Sequence, residues 1–141
     1  MARARQFSAR LNPSVVNRLE QRGERAGTNK SRLAERYIDE GMRMEDHPGI
    51  VFRDGPTGRR AGLAGGPDVW EVIAAIRAGG LEGDAARETA AEWGALSATQ
   101  VRAAVGYYAE YGGEIDERIR RNVEDADAAE QRWRREQDAL A

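Results

Sequence analysis

Few residues of this chain could do covalent chemistry. His47 is the only histidine, and there is no cysteine. That excludes disulfides, thiolate metal sites and His-rich zinc sites, and leaves His47 as the one candidate base for a nucleophile. His47 precedes Pro48, where turn-capping or packing is the simpler role. The 24 carboxylates fall on helical stretches with arginines between them, the pattern of solvated faces. Asp54-Gly55-Pro56-Thr57-Gly58 is glycine-rich but lacks the Lys-Ser/Thr of a phosphate loop. The sequence therefore predicts no enzyme, no cofactor and no metal site. What stands out is charge. Residues 1–36 carry nine Lys or Arg against three acids, although the whole chain is net negative. A basic end on an acidic chain is a footprint for nucleic acid, though such an end can also serve solubility alone. Residues 1–44 sum to +5 and residues 45–141 to −7, which suggests two jobs.

The elements that would present the basic end come in quick succession. Gln6, Ser8 and Arg10 alternate with Phe7, Ala9 and Leu11, the two-residue period of a strand over 6–12 with one wet and one dry face. Asn12 is a good N-cap and Pro13 suits the first helical position. Val15, Val16, Leu19 and Ala26 lie roughly along one face, and Gly27 ends the run. Thr28 reads as the next N-cap. Leu33, Ala34, Tyr37, Ile38, Gly41 and Met42 then recur at helical steps, with the helix ending near Met44. A strand and two helices in about forty residues hold too little apolar mass for a monomeric domain. Two copies pairing their strands antiparallel would bury it, so the sequence predicts a homodimer through the N-terminal strand.

In this order and spacing residues 5–44 resemble a ribbon-helix-helix repressor domain of the CopG and Arc kind. The resemblance implies that the paired strands enter the major groove of operator DNA and that Gln6, Ser8 and Arg10 read bases, in keeping with the affinity of Arg and Gln for guanine and adenine edges. It also implies that the N-terminus of the second helix, at Thr28, Asn29 and Lys30, holds a phosphate. The competing reading is a plain dimerisation unit with a solvated strand face.

Further along, Ile50-Val51-Phe52 predicts a strand, Asp54–Gly58 a turn, and Arg59–Ala64 a returning strand. Pro67 starts a helix striped by Val69, Val72, Ile73 and Ile76, with Trp70 beside them, and Gly79-Gly80 ends it. Asp84 begins another, with Ala86, Thr89 or Ala90, and Trp93 on one face, broken at Gly94. Ser97-Ala98-Thr99-Gln100 is a capping box ahead of Val101, Ala104, Val105 and Tyr108. This is helix-turn-helix spacing. It is either a second DNA reader through Thr99, Gln100 and Arg102, or a packed core. Residues 79–112 hold five acids and two arginines, the wrong sign for a phosphate surface, which favours packing. Gly112-Gly113 closes that helix. From Glu114 one long helix is expected, with Ile115, Ile119, Asn122, Ala126, Ala129, Trp133, Glu136 and Leu140 in a diluted heptad seam. Such a polar helix orders fully only when its stripe is covered, with Trp133 as the anchor; a solvated or frayed tail is the alternative.

Residues 46–122 are similar to the antitoxin-like family called domain of unknown function 433, which includes antitoxins of the VapB kind. His47-Pro48-Gly49-Ile50-Val51-Phe52, Gly58-Arg59-Arg60-Ala61-Gly62-Leu63, Val69-Trp70-Glu71-Val72, Leu96-Ser97 with Val101, and Tyr107-Tyr108-Ala109-Glu110-Tyr111 carry the similarity. The hairpin here is longer and richer in glycine than that family's pattern. The resemblance implies an antitoxin that represses its own operon and neutralises a PIN-like ribonuclease toxin through its C-terminal half. Ile115, Ile119 and Trp133 would be the contacts, and Arg132, Arg134 and Arg135 candidates for the toxin's acidic active site. A basic ribonuclease would attract the acidic half.

The expected fold is thus mainly α. Residues 1–45 form a ribbon-helix-helix unit, 46–112 a hairpin with a helix-turn-helix-like domain, and 113–141 a partner-binding helix. No apolar run approaches the roughly twenty residues of a membrane span and no apolar signal core is seen, so a cytoplasmic protein with no membrane partner is expected. The alternative functions are a stand-alone ribbon-helix-helix regulator with a C-terminal oligomerisation or sensing domain, and an adaptor dimer with no DNA role.

Overall fold

The computed structural model describes residues 2–80 and 82–141. The chain is mainly helical and divides into two units, Met1–Met42 and Arg43–Ala141.

In the first unit, residues 2–12 carry no regular secondary structure. The strand expected over 6–12 is not formed in the single chain, and the helices come first. The reason is physical: a lone strand has no ladder to join, and among the described residues the two strands that do form pair with each other. Helix α1 spans Pro13–Ala26 and helix α2 Lys30–Asp46. Asn12 caps α1 by accepting from the Ser14 N–H at 2.9 Å, with Pro13 in the first turn. Gly27 ends α1 in the left-handed region (φ 66°), and the Thr28 N–H reaches back to the Gly23 carbonyl at 3.0 Å. A Cβ at Gly23 would lie 2.9 Å from the Thr28 carbonyl oxygen, so the tight turn needs glycine there. The cap of α2 is Asn29 rather than Thr28: its side chain accepts from the Arg32 N–H at 2.9 Å. Both residue types cap well, so local preference could not separate adjacent positions. Among the described residues of this unit, Leu33 is the one large apolar side chain that is buried.

The second unit is a hairpin packed against two of three helices, with the remaining helix lying on those two. Strands β1 (Ile50–Arg53) and β2 (Arg60–Leu63) pair antiparallel, with Ile50 opposite Leu63 and Arg53 opposite Arg60. The loop between them is pinned by two Gly55–Gly58 backbone bonds of 3.1 and 3.0 Å. Helices α3 (Val69–Ala78), α4 (Gly83–Gly94) and α5 (Ala98–Leu140) follow. The core gathers Ile50, Ala61, Leu63, Val69, Val72, Ile73, Ala104, Tyr107 and Ile115. Ala90 and Trp93, expected on the inner face of α4, have side chains outside the described residues.

The break expected at Gly112-Gly113 falls one residue earlier, as a kink inside α5. Tyr111 departs from helical geometry (φ −116°, ψ 35°), and the helix continues beyond this kink to Leu140. Two interior glycines cost about 1 kcal/mol each relative to alanine. The turn after them is nevertheless held by the core contact of Ile115 and by side-chain bonds at Glu114 and Asp116. No described helix is long and apolar enough to cross a membrane.

Candidate functional site

The residues expected to read bases, Gln6, Ser8 and Arg10, are all exposed, in the segment that precedes α1. Thr28, Asn29 and Lys30 do gather at the start of α2. Thr28 is half-buried, while Asn29 and Lys30 are exposed. Asn29 spends its carbonyl oxygen on the Arg32 N–H, and the Lys30 ammonium sits 3.2 Å from Glu20. This exposed pair is worth little and opens readily to a stronger anion. Beside these polar groups, Phe7, Leu11, Val15, Tyr37, Ile38 and Met42 are 37–79 % exposed. Most of the apolar side chains of this unit therefore face outward.

The second unit holds three polar clusters that sequence reasoning missed. Asp68, at the N-cap position of α3, has a side chain only 9 % exposed. It accepts from Arg53 Nη2 at 3.0 Å, from Arg60 Nε and from Trp70 Nε1 at 3.3 Å. The two guanidinium groups lie across glycines: a Cβ at Gly62 would come 1.9 Å from Arg53 Nη2, and one at Gly55 would come 1.4 Å from Arg60 Nη1. Arg60 Nη1 itself is buried with no acceptor. The Gly-x-Arg pattern was legible in sequence; its carboxylate partner was not.

The second cluster closes the last turn of α2 onto α5. Arg43 Nη1 donates to the Tyr107 hydroxyl at 2.8 Å and to Glu114 Oε1 at 2.5 Å, while the Tyr107 hydroxyl donates to Glu114 at 2.8 Å. Burial pushes the Tyr107 hydroxyl well above its ordinary value, Glu114 adds to this, and Arg43 opposes it. Arg43 also lies 3.9 Å over the Tyr111 ring. His47 meets Glu110 at 2.6 Å and packs edge-on against Tyr107 and Tyr111. The hydrogen bond from His47 holds the Glu110 carboxyl below its usual range.

In the third cluster Arg77 donates to the Tyr108 hydroxyl and to Asp116 Oδ1. Arg118 anchors the same helix to the hairpin loop through the Thr57 carbonyl at 2.9 Å and hydroxyl at 2.6 Å. These groups brace the kinked α5. Among the described residues no group of three or more His, Asp or Glu is placed to hold a metal.

The helix-turn-helix geometry serves packing on one side: Val101, Ala104 and Tyr107 are fully buried. Gln100 is engaged in the capping box with Ser97, its side chain accepting from the Ser97 N–H at 2.9 Å. Thr99 and Arg102 are exposed, and Arg102 shares a surface cleft with Asp84, Glu88 and Glu92.

The expected partner-binding residues separate. Ile115 is 4 % exposed and Ile119 packs against the same core. In the single chain the domain covers the first turns of the stripe itself. Beyond them, from Arg120, every residue of α5 is exposed, including Trp133 at 59 %. Arg132, Arg134 and Arg135 surround Trp133 on this exposed stretch, and Arg134 pairs with Glu130 at 2.6 Å.

Comparison with protein-family profiles, curated proteins and solved structures finds no match.

Proposed function

We propose that this chain is a dimeric DNA-binding antitoxin. Residues 1–45 of two copies would form a ribbon-helix-helix unit. Its ribbon would read operator bases through Gln6, Ser8 and Arg10, while Thr28, Asn29 and Lys30 would hold a phosphate. The back half, through Trp133 with Arg132, Arg134 and Arg135, would neutralise a PIN-like ribonuclease encoded beside it.

The observation that carries the reading is the inside-out character of the first unit. Leu33 is buried, but Phe7, Leu11, Val15, Tyr37, Ile38 and Met42 are left in water. Full burial of such a side chain is worth about 1.5–3 kcal/mol, so a second copy covering this surface would contribute toward the ordering of the strand. Pairing residues 6–12 with their counterparts also supplies the backbone partners that the single chain lacks. Residues 1–44, which include this segment, sum to +5 against −7 for the remainder. The N-terminus of α2 offers an anion site in the same unit.

Two measurements test this. Co-expression with the product of the neighbouring gene should yield a stable complex and relieve the growth arrest that the neighbour causes alone. A harmless, non-binding neighbour would leave only the stand-alone regulator. Arg10→Ala should weaken operator binding by about 1–3 kcal/mol and relax specificity at one position. Unchanged affinity would remove the base-reading role and favour the adaptor reading.

A further inference from the structure

We infer that the projecting part of α5 is a self-complementary surface that pairs antiparallel with α5 of a second copy. From Arg120 to Leu140 the helix extends about 30 Å with every residue exposed. Ile119, Ala126, Trp133 and Leu140 follow at steps of seven, on the face by which Ile115 and Ile119 meet their own core. The dry face of the domain thus runs on into solvent as a stripe with nothing over it in the single chain.

The order of residues along the stripe selects its occupant. An antiparallel copy centred between Ala129 and Glu130 sets Trp133 over Ala126 of the second copy and Leu140 over Ile119 of the second copy. Each large side chain thus meets a position that can receive it. The charges obey the same centre. Asp127 and Arg134, seven apart, share one flank of the stripe. Asp125 and Arg132, also seven apart, share the other, with Arg121 and Glu136 one turn outside them. In the antiparallel pair like flanks meet. Asp127 then faces Arg134, Asp125 faces Arg132 and Arg121 faces Glu136, each within about 3 Å along the axis. The two-fold doubles every pair.

A parallel pair in register would set Asp125 and Asp127 against themselves and the arginines against themselves, which is repulsive. A parallel stagger by seven would satisfy one set of charges but would not close. Within the described chain Asp125, Asp127, Arg132 and Glu136 make no ion pair, so they are available to a second copy. A toxin engaging Trp133 would compete with this contact, and the contact does not depend on DNA binding by the first unit.

The cysteine-free chain allows a direct test in the full-length protein. Ala129→Cys puts two thiols beside the two-fold, whereas Leu140→Cys puts them about 30 Å apart. Oxidation should join the Ala129→Cys chain into a covalent dimer and leave the Leu140→Cys chain unlinked. In the Ala129→Cys background, Asp125→Arg with Asp127→Arg should abolish the link, and so should Arg132→Glu with Arg134→Glu. Mixing the two reversed chains should restore it. No link at Ala129→Cys, an equal link at Leu140→Cys, or a link indifferent to charge reversal would each overturn the proposal. So would a stripe that stays unlinked alone and becomes shielded only by a co-expressed toxin. None of these results touches operator binding, which the Arg10→Ala experiment reads separately.

Discussion

Replacing Asp68 by alanine is the sharpest perturbation of the second unit. The carboxylate is 9 % exposed, and it is the shared acceptor for Arg53, Arg60 and Trp70 Nε1. Its removal leaves the Arg60 guanidinium and the Trp70 indole N–H without that acceptor, and leaves Arg53 the Leu63 carbonyl at 3.3 Å. Breaking a fully buried ion pair costs about 3–5 kcal/mol. Here the Arg53 and Arg60 side chains keep 35 % and 24 % exposure, so solvent recovers part of the loss and about 2–3 kcal/mol is expected. Asp68→Asn keeps an acceptor oxygen but not the charge, and should cost about half as much. Urea unfolding followed by helical circular dichroism measures both. With a slope of about 1–3 kcal/mol/M, the Asp68→Ala midpoint should fall by roughly 1–2 M at unchanged slope. Arg87→Ala provides the control, because the Arg87–Asp84 pair is exposed on both sides and should be worth less than about 1 kcal/mol. If Asp68→Ala shifted the midpoint no more than Arg87→Ala, the bridging role of Asp68 would be refuted.

Three further outcomes follow from the same packing. Gly62→Ala would place a Cβ 1.9 Å from Arg53 Nη2 and push that guanidinium off Asp68. It should cost about 1–2 kcal/mol in urea unfolding and combine less than additively with Asp68→Ala. Tyr107→Phe removes a hydroxyl whose folded value lies well above the ordinary 10.0. The folded state therefore favours the neutral phenol, and that contribution is complete below pH 10 and lost as pH rises through the raised value. The variant should be about 1 kcal/mol less stable at neutral pH and should show a flatter decline in urea midpoint above pH 10. Ile38→Glu alters a side chain that is 51 % exposed in the single chain. It should leave the helical signal intact while abolishing association of the first unit, read by sedimentation equilibrium; unaltered association would place the dimer contact elsewhere.

What was legible in the sequence was local. The Ser97–Gln100 capping box, the Asn12-Pro13 start and the Gly27 stop each involve residues a few positions apart, and each appears where its spacing puts it. The break expected at Gly112-Gly113 appears as the kink at Tyr111, but two glycines report only intrinsic preference and cannot say how the helix on the far side is held. They are silent about Arg43 and Arg77, which hold Glu114 and Asp116 from distant parts of the chain. Asp68 escaped notice for the same reason. Its partners stand 15 and 8 residues upstream, and only the register of the hairpin brings them together. An N-cap residue and two strand arginines do not announce a shared site.

The two apolar stripes show a different limit of sequence reading. Periodicity placed apolar stripes on α1, α2 and α5, but it could not say what covers each one. For α5 the answer is divided: the domain itself covers Ile115 and Ile119, while Val123, Trp133 and Leu140 stay exposed. Periodicity is a property of one helix, whereas a partner is chosen by charge order and by the size of the facing residue. On the first unit the uncovered surface is strongly apolar and basic, which suits a copy of itself laid beside a polyanion. On α5 the apolar residues are sparse, and acids precede arginines along the helix. A polarity of that kind is satisfied by its own reverse. The two surfaces would therefore make two different two-fold contacts on one chain. If both join the same two chains the assembly closes as a dimer; if they join different chains it grows to a tetramer or beyond. Comparing the mass of the wild-type chain with that of the charge-reversed variants distinguishes these, because only the larger assembly loses mass when the α5 contact is broken.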